Sequence, residues 1–139
     1  VSEPQSSWGS REYQRELEGL RATLLRLRQQ GKLMLAILYG SFAHGAVHAR
    51  SDVDLAIHLN AANEEEELQI IDEILMSSER DVSILRLDDE DESPFVAQQA
   101  LRGIHLVEPD PETLHRVVHR VLHECEAIRF KRMSQRGSS

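Results

Sequence analysis

Asp52 and Asp54 stand two residues apart at the start of a stretch in which Val53, Leu55, Ile57 and Leu59 alternate with Asp54, Ala56 and His58. That alternation marks a half-buried strand, whose successive side chains point to opposite faces, so the two carboxylates project from one side. Two carboxylates held so close repel each other and favour either a shared proton or a bound cation. Hard oxygen donors at this spacing suit Mg²⁺, which takes one or two protein carboxylates and fills its shell with water and phosphate oxygens. Asp81 opens a further strand candidate, 81–87, and would reach the same place if the two strands were neighbours. A third carboxylate there would allow a two-metal site, able to stabilise both the attacking and the leaving oxygen of an in-line phosphoryl displacement.

Gly40-Ser41 follows a continuous apolar run, Leu33 to Tyr39, and ten residues separate it from Asp52. A chain that turns sharply off a buried strand exposes N–H groups to an incoming phosphate. Glycine lets the backbone approach closely and serine adds a hydroxyl donor. Gly45 would permit a second close approach in the same connection, and Arg50 and Ser51, beside the carboxylates, are further candidate phosphate contacts. Taken singly, a Gly-Ser after a strand is usually an ordinary turn, and an Asp-x-Asp pair is often an exposed polar edge. The order strand, Gly-Ser, gap, Asp pair, later strand Asp is what one site would need.

The elements that must position these residues are legible by period. Tyr13, Leu17, Leu20, Leu24 and Leu27 recur in steps of four and three, which predicts a helix ending near Gly31. Leu33–Tyr39 and 53–59 read as strands. A helix over 64–77 opens with four glutamates, where the helix dipole favours them, and carries Leu68, Ile71 and Leu75 as its apolar stripe. A short helix over 94–102, closed by Gly103, precedes a short strand over 104–107. Pro111 starts a last helix to about Arg132, with Leu114, Val117, Val118, Val121, Leu122 and Cys125 on one side. Helices and strands alternate, so the fold class is α/β or α+β, a small mixed β-sheet flanked by helices. Residues 1–10, with Pro4, Trp8, Gly9 and four serines, are expected to form a mobile arm. One domain spans 11–133, and 134–139 is a frayed tail.

The chain has 139 residues, the size of one globular domain. Lys and Arg total 16 against 24 Asp and Glu, a formal charge of -8. Such a surface repels a nucleic-acid backbone, yet a nucleotide can be neutralised locally by a metal ion and backbone N–H groups. Cys125 is the only cysteine, so neither an intrachain disulfide nor a Cys-rich zinc site can form. No apolar run approaches the roughly 20 residues of a membrane helix. A cytoplasmic protein is expected.

Leu38 to Leu55, with Gly40-Ser41, Gly45, Ser51-Asp52 and Asp54-Leu55, resembles the signature of the nucleotidyltransferase (polymerase β-like) superfamily. Asp81-Val82-Ser83-Ile84-Leu85 and the short chain resemble most closely the minimal nucleotidyltransferases known as MNT or MntA-type antitoxins, over about residues 33 to 108. The resemblance implies Asp52, Asp54 and Asp81 as the ligands of two Mg²⁺ ions, with Gly40 and Ser41 as phosphate contacts and ATP as substrate. It implies a HEPN-domain toxin as partner and AMP transfer to a toxin tyrosine. Asp81 would help activate the acceptor hydroxyl, and Asp52 and Asp54 would bridge both metals. In one departure, His44 stands where the related motif often has Arg, which removes a fixed positive charge near the triphosphate. Two other readings remain open: a non-catalytic module that binds the toxin through the same fold, and a small-molecule nucleotidyltransferase whose acceptor pocket a homodimer builds across two chains.

His115, His119 and His123 stand four apart on the last helix, where they could bind a transition metal or simply form a solvated face. His48 and His58 read as loop and strand-surface residues. The first and last helices, each with an apolar stripe and Arg-rich flanks, either cover the sheet or offer a partner surface.

Overall fold

The structure is a computed structural model and describes residues 15–40, 43, 52–89 and 91–137, with side chains through residue 133. Its described elements run in the order α1 (Glu18–Gln29), β1 (Leu33–Tyr39), β2 (Val53–Leu59), α2 (Glu64–Met76), β3 (Val82–Arg86), α3 (Pro94–Leu101), β4 (Ile104–His105) and α4 (Pro111–Gly137). The four strands form one mixed sheet in the order β3-β2-β1-β4. β1 pairs antiparallel with both β2 and β4, and β2 pairs parallel with β3. A parallel pair needs a crossover rather than a tight hairpin, and α2 supplies it.

Each face of the sheet carries its own core. Leu33, Ala36 and Leu38 of β1, with Val53, Leu55, Ile57 and Leu59 of β2, pack against Leu17, Leu20, Leu24 and Leu27 at α1 and Ile70 and Ile74 of α2. On the opposite face Leu35, Ile37, Ala56 and Leu85 pack against Ala97 and Ala100 of α3 and Val117, Val121 and Cys125 of α4. The result is three layers, helix pair on sheet on helix pair. Strand parity in β1 changes between Met34 and Leu35, which both face the second core. The register slips there, from Leu33 opposite Leu59 to Leu35 opposite His58.

Local chemistry sets the helix ends. α1 closes with the Gly31 N–H donating to the Arg28 carbonyl and Lys32 N–H to that of Leu27, at 3.1 and 3.0 Å, while Gly31 takes a φ of 74°. This is the paired C-terminal bonding that a left-handed residue permits. Asn63 caps α2, its side-chain oxygen accepting from the Glu66 N–H at 2.8 Å. Asp110 does the same for α4, accepting from the N–H and hydroxyl of Thr113 at 3.1 and 2.6 Å. Those bonds hold its carboxyl below the ordinary aspartate value.

Three expectations are corrected. α2 buries Ile70 and Ile74, whereas Leu68 and Leu75 are 62% and 42% exposed and Ile71 is half-buried. The stripes 68/71/75 and 70/74 are both helical in period. The one in line with Ser77 wins, because the Ser77 carbonyl closes against Gly19 of α1. α4 runs past Arg132 to Gly137, and its outer side carries Leu122, expected on the packed face but 43% exposed. His58 is no strand-surface residue: it is half-buried on the α3/α4 face of β2, and its Nδ1 is buried without a hydrogen-bond partner. Burial pushes its pKa down, against Asp88 and with Arg116 and Arg120. Tyr13, the arm 1–10 and His48 lie outside the described residues.

Candidate active site

The end of β1 and the beginnings of β2 and β3 meet at one rim of the sheet. Tyr39 lies opposite Asp54 in the antiparallel register, and Asp54 lies beside Ser83 in the parallel one. Val53 pairs with Val82, so the residues before them, Asp52 and Asp81, are neighbours at the strand entrances, and the Val53 N–H donates to the Asp81 carbonyl at 2.8 Å. Val53 and Val82 belong to the α1/α2 core. Strand parity therefore gives Asp52, Asp54 and Asp81 the other face, where α3 and α4 lie. Asp52 and Asp81 are exposed and Asp54 is half-buried.

Gly40 ends β1 with a φ of 72°, a left-handed turn that L side chains rarely adopt. A Cβ on Gly40 would overlap the Oδ2 of Asp54. The bend and the carboxylate thus touch. Burial first, and then the charge of Asp52, raise the pKa of Asp54 above the ordinary aspartate value. Ionised Asp54 is consequently held at some electrostatic cost, which a divalent cation would relieve. Among the described residues no three His, Cys, Asp or Glu side chains are gathered closely enough to share one ion. The donor set, all carboxylate oxygen beside a turn able to present N–H groups, fits Mg²⁺.

Two residues that composition and spacing did not single out also belong to this rim. Tyr39 stands opposite Asp54, and burial, then Asp54, then Glu92 raise its pKa above the ordinary tyrosine value. Glu92, half-buried just before α3, thus sets a negative charge near Tyr39. The parity of β1 could have found Tyr39, since it points to the same side as Leu35 and Ile37. Nothing local distinguishes Glu92 from its acidic neighbours. Ser41, His44, Gly45, Arg50 and Ser51 lie outside the described residues. The exposed rings of His115 and His119 sit on α4, outside this rim.

A family model described as "Polymerase beta, Nucleotidyltransferase" matches residues 25–112, and the chain belongs to that nucleotidyltransferase family. No curated protein matches it. Among solved structures, a toxin-antitoxin crystal structure with AMP-PNP shares the fold at a TM-score of 0.63 and 17% identity, over 85% of this chain and 96% of the matched one. The toxin-antitoxin MntA-HepT does so at a TM-score of 0.57 and 15% identity, covering 86% and 95%. A tri-AMPylated Shewanella oneidensis HEPN toxin in complex with MNT antitoxin gives a TM-score of 0.57 and 15% identity, covering 86% and 94%. At these identities the likeness is one of fold. No described helix is long and apolar enough to cross a membrane.

Proposed function

We propose that this chain is a protein adenylyltransferase that moves AMP from ATP to a tyrosine hydroxyl of a HEPN-type toxin, and so acts as its antitoxin. The observation that carries the reading is the contact between the Gly40 bend and Asp54, on the rim that Asp52 and Asp81 share. Membership of the nucleotidyltransferase family supports the reaction class. The fold shared with chains of toxin-antitoxin structures, one with AMP-PNP and one with a tri-AMPylated toxin, supports the nucleotide and the acceptor.

Asp52 and Asp54 would hold two Mg²⁺ ions, with Asp81 on one of them. When bound, such ions neutralise phosphate oxygens and the leaving pyrophosphate. Gly40 and Ser41 would present N–H and hydroxyl donors to the phosphates, and Gly45, Arg50 and Ser51 would extend that cradle. Asp81, at the exposed entrance of β3, would take the proton of the acceptor hydroxyl. The hydroxyl oxygen then bonds to the α-phosphorus, the bond from that phosphorus to the β-phosphate bridging oxygen breaks, and pyrophosphate leaves.

The test is incubation of the purified chain with Mg²⁺, α-labelled ATP and the toxin encoded beside it. Label on the toxin that disappears in Asp52→Asn and Asp54→Asn, both still folded, supports the assignment. Toxin capture that survives both substitutions, with no label in the parent, would instead make the chain a non-catalytic binder.

A further inference from the structure

Metal-ligating side chains also meet on α4. His115 and His119 are one helical turn apart, with ring centroids 4.3 Å apart and planes tilted by 56°. Both side chains are exposed. Val117, Val121 and Cys125, buried against the sheet, fix the rotation of α4 and so hold the pair outward. The Asp110 cap orders the first turn of the helix. The backbone beneath the pair is thus set by packing it does not take part in. His115 opens with Glu112, Pro111 and Arg116 onto a depression of about 630 Å³.

The geometry points to a bidentate site for a divalent transition ion, Zn²⁺, Ni²⁺ or Cu²⁺, bound by one ring nitrogen each of His115 and His119. Imidazole nitrogen suits these ions, whereas Mg²⁺ prefers carboxylate and water oxygen, so this site and the carboxylate rim select different cations. Among the described residues no third ligand joins the pair. Water completes the shell, the depression leaves it room, and Glu112 is placed on the same side to accept a hydrogen bond from a bound water. Arg116 on the rim opposes the cation, and the chain's formal charge of -8 favours it.

The experiment titrates the untagged full chain with Ni²⁺ by calorimetry and with Cu²⁺ by electron paramagnetic resonance, in saturating Mg²⁺. The expected result is a site with a two-nitrogen signature. Chelation by two linked ligands exceeds either alone by on the order of 10²-fold or more, and His115→Ala or His119→Ala should forfeit that factor. His123→Ala and Asp54→Asn should leave the binding unchanged. Because the histidines are exposed, the variants are expected to fold, which their circular dichroism melts check. Binding in the His115→Ala/His119→Ala double variant as tight as in the parent would overturn the site. So would a loss confined to His123→Ala.

Discussion

Gly40 and Asp54 depend on each other, and substitutions at either separate the strain of the turn from the charge of the site. Gly40→Ala forces a Cβ into the left-handed region, at a cost of roughly 1–2 kcal/mol, and onto the Asp54 carboxylate. The expected outcome is a lower melting temperature together with lost transfer activity, and a variant as active as the parent would count against the bend as part of the site. Asp54→Asn removes a half-buried charge facing Asp52 and keeps the shape of the side chain. Without divalent ions it should melt higher than the parent at neutral pH while losing activity, a combination that differential scanning calorimetry and a labelled-ATP assay would read. The carboxylates could be read from the sequence because strand parity alone puts Asp52 and Asp54 on one side. Asp81 needed the extra fact that β3 runs parallel beside β2, in a register that aligns Val82 with Val53. Tyr39 shares the parity of Leu35 and Ile37 and was within reach of the same reasoning, whereas Glu92 was hidden inside an acidic run.

Among the elements, α2 shows where periodicity stops deciding. Two adjacent stripes satisfy the same helical spacing, and only the approach of α1 selects between them. Ile70→Ala should cost about 2–5 kcal/mol, as truncation of a buried aliphatic does, whereas Leu68→Ala, at 62% exposure, should stay within about 0.5 kcal/mol. Urea denaturation of both variants tests this, and equal losses would contradict the described face. β2 carries a second case at His58, whose Nδ1 is buried without a partner. Its folded pKa lies below the unfolded value, chiefly through burial. The unfolded chain therefore binds a proton more readily, so stability is retained above the ordinary histidine pKa and is lost as pH falls below it. His58→Leu should raise the melting temperature, and the gain over the parent should widen as pH is lowered from 7 toward 5. A gain that shrinks over that range would refute the sign. Alternation in β2 correctly predicted a strand, but could not show that α4 covers the polar side of its far end.

At the scale of the whole molecule, a formal charge of -8 coexists with the proposed site for a polyanion. The two would be compatible if the acidic rim took up cations and the cations then held the nucleotide. The sheet order and the antiparallel β1–β2 pair place all three carboxylates at one end of three layers, leaving the two apolar cores to hold the strands in register. Class and element order follow from alternation and spacing, which act locally. Strand order and the choice of covered faces do not, because they depend on contacts between segments far apart in the chain. Asp81 is proposed to work with Asp52 and Asp54 on one acceptor hydroxyl. The most direct measurement compares the parent and Asp81→Asn for incorporation of label from α-labelled and γ-labelled ATP into the toxin, with Mg²⁺ present. Label is expected from the α position only, reduced about 10²–10⁴-fold in the variant, as loss of a positioned base would do. Equal incorporation by parent and variant, or label arriving from the γ position, would contradict it.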